Sequence, residues 1–343
     1  MSFQQRLEAS WAQRGLLTWA LWPLSLLYRA ALGVRNGLYR AGLLRAQRVP
    51  VPVVVVGNLV AGGAGKTPTV LAVVGLLRRQ GWTPGIVSRG YGRSGDSLLA
   101  VEAATPALRC GDEPLLLHLR TGAPVQVGRD RPAAGRALLQ RRPEVDILVC
   151  DDGLQHRRLA RDAQVIVFDE RGAGNGLLLP AGPLREPLAA QAPPRSVVVF
   201  NAPAATVRWA GDPVQRGLAG AVALDAWWRG EAPSLAALSK LAERPLLAVA
   251  GVARPGRFFA MLRERGLRFD ELALPDHHAF TVLPWPATTG DVILTEKDAV
   301  KLPPGKVRGP TRVWVATLDF RLAPASETAL CRLLAAAPTP NKV

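Results

Sequence analysis

The chain has 343 residues, 43 Lys and Arg against 27 Asp and Glu, a formal net charge of +16 and 48% hydrophobic residues. That length accommodates about two domains with their own cores, the apolar content excludes general disorder, and three scattered cysteines, Cys110, Cys150 and Cys331, exclude a disulfide framework or a zinc site and read as reduced thiols of a cytosolic protein. The excess of cationic side chains calls for an anionic partner, whether nucleic acid, membrane surface or phosphorylated substrate, and charge alone does not choose among them.

The first element is the uncharged run from Gly15 to Tyr28, GLLTWALWPLSLLY, with Trp11, Trp19, Trp22 and Tyr28 in or beside it. Arg6 and Arg14 precede it, and Arg29, Arg35, Arg40, Arg45 and Arg48 follow. A spanning helix needs roughly 20 apolar residues; this run is shorter, and Pro23 interrupts it. The pattern predicts a helix lying in a membrane interface, with aromatic rings at headgroup depth and arginines against anionic lipid. Two other readings stand beside it: a signal peptide, which lacks an A-x-A cleavage site in the first fifty residues, and an amphipathic helix packed on the protein's own core.

A strand from Val51 to Val56 leads into Gly57-Asn58-Leu59-Val60-Ala61-Gly62-Gly63-Ala64-Gly65-Lys66-Thr67-Pro68, and a helix from Pro68 to Gln80 follows, stopped by Gly81. Strand, glycine-rich loop and helix in this order form a phosphate cradle. Backbone N–H groups of Gly62, Gly63, Ala64, Gly65 and Thr67 turn toward phosphate oxygens, Lys66 reaches the β/γ-phosphates, the Thr67 hydroxyl ligates Mg²⁺, and Pro68 sits at the helix start. Val60 stands where the usual spacing has a first glycine, which is tolerable only if the backbone there needs no positive φ.

Further strands are expected at Gly85 to Val87, Val125 to Val127, Ile147 to Cys150, Val165 to Phe168 and Val197 to Phe200, with a helix from Arg131 to Arg142. Strands apolar throughout and alternating with helices predict an α/β fold with a mostly parallel sheet covered on both faces and ligands at the strands' carboxyl ends. Asp112 and Glu113 before Pro114 read as helix-capping acids, and His118 as structural. The strand ending in Asp151 and Asp152 is either a turn or, coupled to the Gly-Lys-Thr loop, a site for Mg²⁺. Recurrent prolines at 183, 187, 193 and 194 mark a loop leading to a second unit, with Leu246 to Gly251, a helix from Gly256 to Arg265, and strands at Val292 to Leu294 and Val313 to Val315. In that unit Asp276-His277-His278 is the raw material of a general base. Residues Pro338 to Val343 are expected to fray.

These runs, together with Ser88-Arg89-Gly90-Tyr91-Gly92, Asp151-Asp152-Gly153-Leu154-Gln155-His156, Leu179-Pro180-Ala181-Gly182-Pro183-Leu184-Arg185-Glu186-Pro187 and Thr295-Glu296-Lys297-Asp298, resemble the tetraacyldisaccharide 4′-kinase family, in family order over roughly residues 15 to 335. Even the displaced first glycine is similar to the family's loop. The resemblance implies a P-loop NTPase-like core over 47–203, a smaller α/β domain over 204–343 that closes a cleft, and a membrane-associated helical segment over 1–46. It implies transfer of the ATP γ-phosphoryl group, with Mg²⁺, to the 4′-hydroxyl of the disaccharide 1-phosphate precursor of lipid A, at the cytoplasmic face of the bacterial inner membrane. The expected partners are that substrate and an anionic bilayer, with no nucleic acid and no obligate protein partner.

By the same resemblance Asp112 is the general base, which overrides its reading as a cap, and His277 assists it. Lys66 and the loop hold phosphates. Thr67, Asp151, Asp152, Gln155 and Glu186 are candidates for the metal or its surroundings, Asp152 also for catalysis. Arg185, Arg129 and Arg131 are candidates to neutralise phosphate, and Glu113 and His156 to contact substrate. Two rival readings stand: a membrane-recruited P-loop ATPase or GTPase switch, which should carry base-specifying motifs such as N-K-x-D that the chain lacks, and a nucleic-acid-binding NTPase, favoured only by charge.

Overall fold

Four consecutive valines, Val53 to Val56, are each at most 1% exposed, so both faces of their strand are covered. Alternate residues meet different layers: Val53 and Val55 share a core with Ala134, Leu138 and Phe168, leaving Val54 and Val56 to the opposite side. In the computed structural model, which describes residues 3–336, this strand (Val53–Gly57) lies inside a mostly parallel sheet. The expected frayed tail, Pro338 to Val343, lies outside the described residues.

The chain divides into two compact units. One runs from the start of the described chain to Arg89, over Gly128–Gln215 and from Arg321 onward; the other comprises Gly90–Val127 and Arg216–Phe320. Residues 90–127 group with the C-terminal half, and the helix Pro324–Ala335 groups with the P-loop unit.

In the first unit the strand order is Pro84–Ser88, Ile147–Asp151, Val53–Gly57, Ala163–Asp169, Ser196–Asn201 and Asp212–Pro213, every neighbour parallel. Register places Val56 beside Asp151, so the carboxyl ends of these two strands are level. The helix Lys66–Arg79 begins two residues earlier than expected and buries Val70, Val73, Val74 and Leu77. Helix Arg131–Arg141 starts with Asp130 accepting the Ala133 N–H and with Pro132 in its first turn.

The N-terminal helix runs unbroken over Leu16–Arg40, with Pro23 inside it, so the expected interruption does not occur. Proline lacks the donor that would reach back one turn; side-chain bonds anchor the helix in the turn and a half that follows it. Ser25 Oγ donates to the Leu178 carbonyl and accepts from the Ala181 N–H, both at 2.9 Å, and Tyr28 donates to the Arg185 carbonyl at 2.9 Å. Leu16, Trp19, Leu27 and Val34 remain exposed on this helix. No described helix is long and apolar enough to cross a membrane.

The second unit carries a sheet in the order Asp270–Ala273, Leu246–Ala250, Asp291–Thr295, Arg312–Arg321 and Gln215–Ala223, the first three neighbour pairs parallel. Leu99–Val101 and Val125–Val127 form an antiparallel pair. Strands Leu99–Val101, Gln215–Ala223 and Asp270–Ala273 carry half-exposed or polar residues, which hid them in the sequence.

Candidate functional site

The phosphate loop follows directly from the Val53–Gly57 strand. Gly62 and Gly65 take φ of +91° and +96°, whereas Val60 is absent from the positive-φ residues and is buried, which explains why valine is accepted there. A side chain at Gly65 would both strain the backbone and run into the Asn201 amide, whose Nδ2 donates to the Ala64 carbonyl at 3.1 Å.

Lys66 opens the helix and is only 12% exposed. Its Nζ lies 3.3 Å from Asn58 Oδ1 and 3.8 Å from Asp152 Oδ1. Arg185 Nη1 donates to both oxygens of Asp152, at 2.9 and 3.2 Å, and to Gln155 Oε1 at 3.4 Å, while Gln155 Nε2 donates to the Asn58 carbonyl at 3.3 Å. Lys66, Asp152, Gln155 and Arg185 are thus brought together as one ring of bonds. Burial alone would raise the Asp152 pKa, but Lys66 and Arg185 outweigh it and hold the carboxyl below its ordinary value.

Asp151 is buried, and its Oδ2 accepts the Ser88 hydroxyl at 3.0 Å. The adjacent carboxylates therefore have separate partners, Ser88 for Asp151 and Arg185 with Lys66 for Asp152, while the buried Oδ1 of Asp151 has no hydrogen-bond partner among the described residues. Glu186 pairs with Arg157 at 3.2 Å. Among the described residues no three His, Cys, Asp or Glu side chains are grouped to hold a metal.

Arg131 is buried and donates to the Gly128 carbonyl at 2.8 Å, whereas Arg129 is exposed. Burial, then the nearby Arg131, lowers the His156 pKa to about 4, so at neutral pH His156 offers a neutral ring and no cation. Three side chains under the loop escaped the sequence reading. Asn201 is described above, Asn58 orients Lys66, and Arg171 donates to the Ala61 carbonyl at 3.0 Å while forked onto Asp169. The available signal was a polar residue closing an apolar strand: Asp169 and Asn201 end theirs as Asp151 does.

The second unit holds the other constellation. Gly111 occupies the N-cap of helix Asp112–Thr121, so Asp112 is its first residue and not its cap. Its Oδ1 accepts the Glu113 N–H at 2.9 Å, and its Oδ2 lies 2.8 Å from His277 Nδ1. Burial would raise the Asp112 pKa; the His277 hydrogen bond and the Lys297 charge outweigh it, keeping the carboxyl below its ordinary range. The same hydrogen bond raises the His277 pKa against its own burial. Glu113 pairs with Lys297 at 2.9 Å. His278 instead accepts the Phe280 N–H at 3.2 Å, which separates the roles of the two histidines. A cavity of about 640 Å³, lined by Leu108, Leu115, Trp228 and Val300, reaches Asp112 and His277.

Known proteins resemble this chain in sequence and in fold. The sequence profile of the family described as LpxK, tetraacyldisaccharide-1-P 4′-kinase, matches residues 17–335. Tetraacyldisaccharide 4′-kinase of Methylibium petroleiphilum is 58% identical over 333 residues, covering 96% of this chain and 93% of the relative. The enzyme of that description from Leptothrix cholodnii is 55% identical over 336 residues, covering 97% and 96%. Among solved structures, LpxK from Aquifex aeolicus, crystallised in complex with ATP, superposes with a TM-score of 0.76 at 27% identity, covering 93% of this chain and all of that one.

Proposed function

The chain belongs to the tetraacyldisaccharide 4′-kinase family, and from that premise we propose how its residues perform the reaction. The protein is an ATP-dependent lipid A 4′-kinase; the acceptor is the 4′-hydroxyl of an acylated disaccharide 1-phosphate. Phosphoryl transfer needs positioning and charge neutralisation more than covalent chemistry.

Lys66 and the amides of Gly62 to Thr67 hold the β- and γ-phosphates at the positive end of helix Lys66–Arg79. Arg185, kept in place by Asp152 and Gln155, supplies a further positive charge. The Thr67 hydroxyl and the Asp151 carboxylate are hard oxygen donors, and Mg²⁺ requires only one or two such protein ligands beside phosphate oxygens and water. Held by Thr67 and Asp151, it would neutralise charge on the phosphate oxygens. Glu186, already paired with Arg157, is a weaker candidate.

Asp112 receives the proton of the 4′-hydroxyl as that oxygen bonds to the γ-phosphorus and the bond from phosphorus to the β–γ bridging oxygen breaks, leaving ADP. His277 orients the carboxylate and balances its charge. The acylated sugar is placed in the apolar cavity beside the pair. Helix Leu16–Arg40 lays its exposed Leu16, Trp19, Leu27 and Val34 into the cytoplasmic face of the inner membrane, with arginines against anionic headgroups.

The observation that carries this reading is the 2.8 Å Asp112–His277 pair, a proton acceptor that a nucleotide switch does not need. The test incubates the purified protein with γ-labelled ATP and detergent-dispersed tetraacyldisaccharide 1-phosphate. Label at the 4′ position supports the proposal; label released only as inorganic phosphate, independent of acceptor, supports a switch.

A further inference from the structure

The run Thr295-Glu296-Lys297-Asp298 has no task in the chemistry above, yet its side chains are engaged throughout. Thr295 caps the short helix Glu296–Ala299, its Oγ1 accepting the Asp298 N–H at 3.2 Å and donating to Asp298 Oδ2 at 2.7 Å. Asp298 is fully buried and also accepts the Gly251 N–H at 3.1 Å and Lys301 Nζ at 3.0 Å. Glu296 pairs with Arg120 and accepts the Trp227 indole N–H and the Leu318 N–H, both at 3.2 Å. Three members of the run therefore fix the helix to its surroundings, and the fourth, Lys297, is the member they aim.

The Lys297 ammonium lies 2.9 Å from Glu113 Oε1 and 3.8 Å from Asp276 Oδ1. These carboxylates flank the two partners of the pair. The Glu113 N–H donates to Asp112 Oδ1, and Asp276 Oδ1 accepts the His277 N–H at 3.1 Å. His277 has φ of +60°, a conformation that strains a non-glycine residue and persists only when its surroundings hold it. Its N–H also reaches the Gly251 carbonyl at 3.3 Å, and Gly251 in turn is held by Asp298. One ammonium thus ties both shoulders of the Asp112–His277 pair.

We propose that Lys297 is a positioning residue, fixing the separation and the charge of the Asp112–His277 pair without touching the transferred group. The inference rests on the reading of that pair as the proton acceptor. Burial would lower the Lys297 pKa, but Glu113, Asp112 and Asp276 outweigh it and raise it, so the cation is permanent at working pH. The groups facing Asp112 are Glu113 on its own helix, Cys110 before it, Asp276 and His277 on their loop, and Lys297 and Lys301 beyond; Lys297 is the strongest cation after the His277 hydrogen bond.

The test compares wild type, Lys297→Met and Lys297→Arg as full-length proteins, reading kcat and both KM values across pH together with the His277 imidazole titration by NMR. In Lys297→Met, kcat is expected to fall about a hundredfold, the loss typical of an ångström-scale misplacement, with KM for ATP within about twofold. The acid limb should move up by roughly one pH unit and the His277 titration should also move up, since one cation is lost beside each group. Lys297→Arg should restore most of kcat. An unmoved acid limb and an unmoved His277 titration in a well-folded Lys297→Met would overturn the proposal, as would a selective rise in KM for ATP, which would make Lys297 a nucleotide ligand. Should Lys297→Met not fold, Glu113→Gln and Asp276→Asn each cut one tether; a lower kcat in both supports the proposal, and wild-type kcat in both overturns it. Wild-type turnover by Asp112→Asn would instead remove the base reading, while the NMR titration still reports on Lys297.

Discussion

At the scale of single residues, the proposed chemistry assigns decisive roles to Lys66 and Asp112, and their replacement should separate function from folding. Among the described residues Lys66 is held by Asn58 at 3.3 Å and Asp152 at 3.8 Å, and Arg185 still pairs with Asp152 when Lys66 is removed, so Lys66→Ala should leave the melting curve nearly unchanged while lowering kcat by at least about 10²–10³, the cost of removing a preorganised charge donor. Asp112→Asn should lower kcat by roughly 10²–10⁴. His277→Ala leaves Asp112 with its burial but without its principal compensation, so the acid limb of kcat/KM should rise by a unit or more. Linkage fixes the stability side as well. Asp112, depressed from 3.8, contributes stability above that value which is lost as pH falls through its folded pKa; His277, raised from 6.5, contributes stability below that value which is lost as pH rises through its folded pKa. The stability difference between wild type and His277→Ala should therefore be greatest near pH 5 and shrink on both sides, as urea titrations at several pH values would show. Legibility followed chemistry at this scale. Gly62, Gly65 and Lys66 announce themselves by spacing, whereas Asp112, one acid before a proline, looks like a cap until the fold brings His277 to it from 165 residues away.

At the scale of elements, the N-terminal helix has an inner side that is bonded to the fold and an outer side that the proposal lays on the membrane. Its inner side is bonded through Ser25 and Tyr28. Ser25→Ala strands a buried carbonyl and a buried N–H, and should cost about 1–3 kcal/mol in urea unfolding. Its outer side carries Trp19 and Leu27, and replacing both with Ser should weaken binding to anionic vesicles by about tenfold or more, with no loss of stability because neither is buried. Co-sedimentation with vesicles checks this, and equal binding by the variant would detach the helix from the membrane reading. The central strands were legible because Val53 to Val56, Ile147 to Cys150 and Val197 to Phe200 are apolar on both faces. Strand Asp270–Ala273 was not, because Asp270 and Glu271 face solvent at the end of the sheet's strand order and give it no apolar pattern. Pro23 misled for a related reason: a local rule lost to a side-chain bond that Ser25 makes to backbone 153 positions away.

At the scale of the whole molecule, the +16 charge and the exposed helix imply that turnover on anionic vesicles falls as salt screens their attraction. Nucleotide binding should register as stability of the P-loop unit, with ATP raising the thermal midpoint of wild type and not of Lys66→Ala. Packing does not follow reading order here. Helix Pro324–Ala335 belongs with the nucleotide-binding strands, where Ser326 donates to Asp212 at 2.7 Å and Glu327 meets Arg79 at 2.8 Å. A ribosome making this polypeptide therefore delivers the last piece of the ATP-handling half only after the intervening half has already been synthesised. Nascent chains should stay catalytically silent until helix Pro324–Ala335 has left the ribosome, and a stop codon just before Arg321 should yield a product that proteases clear, even though every residue of the phosphate loop is present.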